Sequence, residues 1–265
     1  MSVVLITGAS KGIGFSTACH LAKSGFRVYA GYRTIKPELD KKIENLKFII
    51  LDVTEQASVD IAVRRILLET NRIDVLINNA GLGIYGPTEL HTIDEIRLVF
   101  ETNLIGAIRM NQAVIPVMRN QKQGKIINIS SVSGLFPSLN LPVYSASKAA
   151  LEYIGAVDRA ELAKWNIRVY MIQPGPVLSQ FEDSTPMASR FVIDRYYPDL
   201  FTRRMAWKAL MDKGQLAEIV AEQIRLVIVE TAPLWNPTSE EVVEKIKSQY
   251  VDPTGMKRVP LIAKL

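Results

Sequence analysis

Through the first two thirds of the chain, short apolar runs alternate with stretches whose apolar residues recur every three or four positions. Residues 3–7, 27–31, 48–51, 75–78, 126–130 and 168–173 read as six strands. Residues 12–24 read as a helix stopped by Gly25. Residues 57–70 carry a helical stripe at Val59, Val63, Ile66 and Leu67, and two long helices are predicted over 92–120 and 143–165. The alternation ends at Pro174-Gly175. Residues 176–213, rich in aromatics and Met, read as a loop with short helices, and 217–229 as an amphipathic helix. The tail from 231 is ambiguous, with a polar helix near 239–249.

Strands that are apolar along their whole length are buried on both faces, so helices must cover the sheet on each side. Right-handed crossovers then make a doubly wound, Rossmann-like parallel α/β sheet with ligands at the carboxyl ends of its strands. No repeat or linker divides the chain, so 1–265 is expected to be a single domain, with 176–213 a helical substrate-binding segment or lid within it.

Composition narrows this picture. The single cysteine, Cys19, rules out an intramolecular disulfide and suits a reducing compartment. No basic region precedes the first strand, and no apolar run reaches the ~20 residues of a membrane span. A cytoplasmic location is therefore expected. The net charge of +5 comes without a Lys/Arg cluster or an aromatic-basic stripe. It reads as a solvated surface that steers an anionic cofactor rather than as a nucleic-acid footprint. His20 and Cys19 read as packing residues. No His/Cys/carboxylate group has metal spacing, and no G-x-S-x-G elbow is present.

Candidate chemistry gathers at the predicted strand ends. Thr7 to Gly14 joins the first strand to the first helix with glycines at Gly8, Gly12 and Gly14. Such a loop reads either as a plain turn or as a cradle whose backbone amides and helix N-terminus approach a pyrophosphate. Its place at the first strand-to-helix junction favours the cradle. Tyr144 and Lys148, at i and i+4 near a helix start, share one face. A phenol of pKa ~10 must be depressed to act near neutral pH. A drop of ~3 units is ~4 kcal/mol, more than one ammonium readily supplies, so a second positive charge would have to contribute as well. Ser131 can hydrogen-bond the reacting oxygen. The second strand ends Ala30-Gly31-Tyr32-Arg33, with no acidic residue to accept ribose hydroxyls. Arg33 and Lys11 are then either surface charge or partners of a 2′-phosphate. Asp52, in Leu51-Asp52-Val53, reads from its position as a helix cap before Thr54.

These residues together resemble the short-chain dehydrogenase/reductase family. Thr7 to Gly14 is similar to its T-G-x-x-x-G-I-G, and Asn78-Asn79-Ala80-Gly81 to its N-N-A-G. Ser131 with Tyr144-x-x-x-Lys148 resembles its catalytic signature; Asn103 and Pro174-Gly175 match as well. The resemblance covers about residues 1–179. It implies catalysis by Ser131, Tyr144, Lys148 and Asn103, with Lys148 also on the nicotinamide ribose and Asn103 holding a water that links Lys148 to solvent. It implies a dinucleotide held by the loop Gly8, Ser10, Lys11, Gly12, Ile13 and Gly14, with Asp52 and Val53 near the adenine. Asn79, Ala80, Gly81, Pro174, Gly175, Val177, Tyr144 and Lys148 complete that site, and Asn78 and Asn79 can also tie strand ends together. Ser179 stands where the family usually has Thr, and its hydroxyl can still reach a carboxamide.

The expected activity is hydride transfer between NADP(H) and a carbonyl/alcohol pair. Gly175-Pro176-Val177 and the segment after it look like the hydroxysteroid and retinol dehydrogenases. Phe181, Met187, Phe191, Tyr196, Tyr197, Leu200, Phe201, Met205 and Trp207 would form an apolar wall, with Ser131, Tyr144 and Phe181 at a bulky hydrophobic substrate; alternatively they only anchor the segment. A 3-oxoacyl reductase is a rival, but its Gly-Gly ending is absent. A dinucleotide-binding regulator is another, yet such relatives commonly lose one of the Ser, Tyr or Lys. In relatives the two long helices pair with a second subunit, so a homodimer is expected.

Overall fold

The computed structural model describes residues 1–34, 43–190 and 196–249. The first strand, β1 (Val3–Ile6), feeds α1 (Gly12–Lys23) and returns as β2 (Arg27–Tyr32). Then follow β3 (Leu46–Ile50), α2 (Gln56–Thr70) and β4 (Val75–Asn78). Helices α3 (Ile93–Phe100) and α4 (Gly106–Gln121) lead to β5 (Gly124–Ile129), and α5 (Pro142–Leu162) to β6 (Ile167–Gln173). After β6 come β7 (Val177–Leu178), α6 (Leu200–Asp212), β8 (Gln215–Leu216), α7 (Ala217–Val229), β9 (Trp235–Pro237) and α8 (Glu240–Gln249).

Seven strands form one parallel sheet in the order β3-β2-β1-β4-β5-β6-β9, and β7 pairs with β8 in a separate two-stranded ribbon. Successive side chains of a strand point to opposite faces, and the apolar strands fill both. Val4, Ile6, Val28 and Ile127 face α1 and α7, where they meet Ala18, Leu21, Val220 and Ile224. Val3, Leu5, Tyr29 and Ile126 face α2 and α4, where they meet Val59, Val63, Met110 and Val114. The doubly wound sheet inferred from the apolar strands is thus present, with its order reversing between β1 and β4. A crevice outside the strand ends at such a reversal is the usual ligand position.

Three features depart from the sequence reading. The long helix expected over 92–120 is two α-helices joined by a π-helical turn, Glu101–Ile105. The Thr92–Glu95 capping box starts it where expected. Within the segment read as a loop with short helices, Leu200–Asp212 is a helix of 13 residues. The ambiguous tail supplies a seventh strand, β9, against β6. Phe191 lies outside the described residues. No described helix is long and apolar enough to cross a membrane.

Candidate active site

The glycine loop and the end of β4 are packed into one another. A Cβ on Gly8 would stand 2.7 Å from the Ala80 Cα, and one on Gly14 2.4 Å from Asn79 Nδ2, so neither position admits a side chain. Gly8 and Gly12 also have φ of +64° and +56°, a left-handed backbone that glycine adopts freely. Asn79 Nδ2 donates to the carbonyls of Thr7 (2.9 Å) and Gly8 (3.0 Å), and the Thr7 hydroxyl accepts from the amides of Asn79 and Ala80. Asn78 Nδ2 donates to Asn111 (2.9 Å) and Asn128 (2.8 Å), deep under the sheet end. Both asparagines therefore tie strands together. Helix α1 opens with no side-chain cap and no acidic residue in its first turn. Its leading amides, at Gly12, Ile13 and Gly14 beside Ser10, suit an anion such as a pyrophosphate. Ser179 faces the loop, 3.5 Å from where a Gly12 Cβ would lie. The Pro174 carbonyl accepts from Val132 N (2.9 Å), which sets the turn after β6 against the one carrying Ser131. Gly175 and Val177 continue that turn; Gly175 lies under Val242 of α8, and Val177 is buried.

The basic residues are less convergent than their sequence positions suggested. Arg33 is exposed just past β2. Lys11 instead reaches across to the Ser184 hydroxyl and the Gln180 carbonyl. Asp52 accepts from the amide and hydroxyl of Thr54 (2.9 and 2.8 Å), a local turn and not the helix cap its position suggested, since α2 starts at Gln56 after Glu55 with no side-chain cap. Val53 beside it is buried against Gly106.

Tyr144 and Lys148 lie one turn apart on α5, and both are buried. Ser131 caps the short 3₁₀ turn Val132–Gly134, accepting from Ser133 N at 3.1 Å. Lys148 Nζ donates to the Ile129 carbonyl (2.7 Å) and stands 5.8 Å from the centroid of the Tyr144 ring. A Cβ on Gly81 would lie 3.5 Å from that ammonium and 3.3 Å from Asn103 Oδ1, so its absence leaves the space above both residues open. That opening suits a flat ring and ribose, as a nicotinamide dinucleotide requires.

Burial dominates the electrostatics of this pair. Burial pushes the Tyr144 phenol up to about 12, although hydrogen bonding with Ser131 draws it down. Burial likewise pushes Lys148 down to about 8, opposed by Glu152. Without a dinucleotide the phenol is thus not depressed. Desolvation of the phenolate outweighs its neighbours, which accords with the need for a second positive charge. Asn103 sits in the π turn, and its amide is engaged: Oδ1 accepts from Leu82 N (2.8 Å), while Nδ2 donates to Leu82 O and Ser147 Oγ (both 2.9 Å). Ser147 in turn donates to the Tyr144 carbonyl (2.7 Å), so Asn103 clamps the loop after β4 to α5. The sequence reading missed this use of Ser147. It also missed Glu152, one turn beyond Lys148, although the 144-148-152 spacing was there to see.

The segment after β6 divides. Phe181, Met187, Tyr197, Leu200 and Trp207 pack inward in one cluster with Tyr85, Val143 and Tyr144, whereas Tyr196, Phe201 and Met205 are exposed. The segment is latched by backbone bonds from Tyr85 N to Pro186 O (2.8 Å) and from Ala188 N to Tyr85 O (2.9 Å). It is latched again by buried Glu182, paired with Arg204 (2.8 Å) and Lys208 (2.9 Å) of α6. The Arg204 guanidinium also stands against the rings of Tyr85 (5.1 Å) and Trp207 (4.6 Å).

Comparison with known proteins bears on this arrangement. A family model described as short chain dehydrogenase matches residues 2–188. The chain is 39% identical over 203 residues to the 3-ketodihydrosphingosine reductase of Bacteroides thetaiotaomicron, spanning 77% of this chain and 74% of that protein. It is 32% identical over 276 residues to the human 17-beta-hydroxysteroid dehydrogenase type 1, spanning 97% and 84%. Among solved structures, a short-chain dehydrogenase from Streptomyces avermitilis superposes with a TM-score of 0.82 at 28% identity, covering 94% of this chain and 92% of that one.

Proposed function

The chain belongs to the short-chain dehydrogenase family, in its hydroxysteroid/retinol dehydrogenase-like branch, and from that premise we propose that it is an NADP(H)-dependent oxidoreductase of bulky hydrophobic carbonyl compounds and the matching alcohols. One observation carries the reading. The Tyr144 phenol, hydrogen-bonded with Ser131 and beside Lys148, lies where the strand ends meet an apolar cover led by Phe181.

A bound nicotinamide supplies the hydride to the carbonyl carbon, or accepts it in the reverse direction. Ser131 holds the carbonyl oxygen, and Tyr144 gives that oxygen its proton, so the C=O becomes CH–OH. In the reductive direction the phenol starts protonated and gives up its proton as the carbonyl oxygen gains charge. Lys148, fixed by the Ile129 carbonyl, offers its ammonium to the phenolate that remains and to the ribose hydroxyls. Asn103 keeps the loop at Leu82 in register with α5. The amides of 12–14 take the pyrophosphate. Arg33 and Lys11 are the residues that would hold a 2′-phosphate.

The names of the relatives support an apolar substrate, since sphingoid bases and steroids are both largely hydrocarbon. Residues 176–213 act as the substrate cover within a single domain. Exposed Tyr153 and Val157, one turn apart on α5, are the face through which a homodimer would form. The experiment is NADPH consumption by the purified protein across lipophilic ketones and aldehydes against short sugars and polyols. Turnover of the lipophilic set is expected. No turnover of any carbonyl, or a preference for the polar set, overturns the proposal.

A further inference from the structure

Helix α5 carries three ionisable side chains at one-turn intervals, Tyr144, Lys148 and Glu152, and all three are buried. The proposed chemistry uses the first two and leaves Glu152 without a part. A buried carboxylate is costly unless it is bonded and paired. Here each oxygen has its own donor. Gln173 Nε2, at the end of β6, donates to Oε1 (3.1 Å), and the Trp235 indole, on β9, donates to Oε2 (3.0 Å). An indole N–H can only donate, and bonds of this kind, with the Lys148 charge, favour the ionised form against the burial that pushes the Glu152 carboxyl up.

Lys148 has the complementary problem. Its hydrogen-bond acceptor, the Ile129 carbonyl, is neutral and cannot balance an ammonium. Among the described residues the charge that supports the protonated form is that of Glu152, one helical turn along α5 and not in a direct ion pair with it. The other groups around this strip are neutral: Ser131 and Ser130 at the end of β5, Gln173 on β6, Trp235 on β9 and Asn103 in the π turn. Tyr144 is the remaining titratable neighbour.

We propose that Glu152 is a positioning residue of the reaction: the buried counter-charge that keeps Lys148 an ammonium, itself held in place by Gln173 and Trp235. The edge strand β9 thereby takes part in the site through Trp235. Without the Glu152 charge, Lys148 loses its proton at lower pH. Its hold on the ribose hydroxyls and its support of the Tyr144 phenolate then fail together.

The proposal rests on Tyr144 and Lys148 being the reacting pair, and the experiment separates the two. The rate of oxidation of the best lipophilic alcohol is followed from neutral to alkaline pH. The dissociation constant for NADP⁺ is followed over the same range by tryptophan fluorescence. Glu152→Gln removes the charge and keeps the shape; Glu152→Leu removes it without a buried amide, should the first variant not fold; Glu152→Asp keeps it. The charge-free variants are expected to move the alkaline limb of both curves down by about one pH unit, the size a close charge produces, and Asp to restore it. A limb that stays in place in the folded charge-free variant, or moves equally in the Asp variant, overturns the proposal. Near-wild-type activity in Tyr144→Phe sinks the underlying assignment instead, and the proposal with it.

Discussion

The Phe181 ring lies 5.4 Å from the Tyr144 ring, centroid to centroid, tilted by 51°. The segment after the sixth strand therefore reaches the Tyr144 ring, and under the proposed function Phe181 would form a wall beside the reacting oxygen. Burying such a side chain against a ligand is worth ~1.5–3 kcal/mol, and 1.4 kcal/mol is tenfold. Phe181→Ala is expected to raise KM for long or polycyclic ketones about tenfold or more while short ketones change little. An equal loss on both would mean that Phe181 only anchors the segment.

Tyr144→Phe keeps the ring and its packing and removes the proton. A folded protein is expected that binds NADPH normally and has lost at least ~10² in kcat, the low end for a general acid. Lys148→Ala should lose rate and weaken dinucleotide binding together. Stopped-flow and equilibrium binding on the two variants check this, and a Lys148→Ala protein with unaltered affinity would contradict its double role.

Cofactor choice should rest mainly on Arg33. Lys11 is engaged with Ser184 and Gln180, whereas Arg33 stands exposed past β2. A charge-assisted hydrogen bond is worth ~1.5–3 kcal/mol. Arg33→Ala should therefore lower the NADPH-to-NADH ratio of kcat/KM by about tenfold or more, and Lys11→Ala by less. A ratio near one in the wild type would overturn the 2′-phosphate reading.

Glu69, at the end of α2, gathers Lys47 (2.8 Å), Arg65 (3.4 Å) and Arg27 (3.7 Å) and accepts from the Tyr29 hydroxyl (2.8 Å). Hydrogen bonding from Lys47 is the largest of the influences that hold its carboxyl down to about 2, against an ordinary 4.5. A depressed carboxylate stabilises the fold above its unfolded value and loses that contribution as pH falls from about 4.5 towards 2. Its basic partners are half exposed, so screening reduces the effect to ~1–2 kcal/mol. Glu69→Gln should cost about that much near neutral pH in urea unfolding and progressively less on acidification. A cost that does not change with pH would place the effect in packing rather than charge.

What could be read along the chain was what is local. Apolar strands such as Val3–Ile6, the offset between Tyr144 and Lys148, and the glycines between Thr7 and Gly14 each lie within one or two neighbouring elements. Period therefore reported the doubly wound sheet, and the candidate catalytic set came from the resemblance of these local motifs to the short-chain dehydrogenase/reductase family. Strand β9 escaped because three residues ending in Pro237 have no period to detect. The π turn escaped because Glu101–Ile105 continues the helical pattern on either side, yet it is this turn that holds Asn103 against Leu82 and Ser147.

The chain order thus determined which residues stand at the strand ends, since in a parallel sheet every strand delivers its following loop to the same edge. Only the tertiary structure decided what each of them does there. Phe181 and Trp207 turn inward while Phe201 and Met205 face out, although all four sit in one aromatic stretch, because α6 presents a single face to the core and is fastened by Arg204 to buried Glu182. The same holds for charge. The Tyr144 phenol is pushed up rather than down, and Lys148 is pushed down by burial against the pull of Glu152, because a pKa follows burial and distances set by several elements at once. Spacing within one helix puts side chains on a common face; how far that face is from water, and what closes over it, is settled by strands and loops distant in the chain.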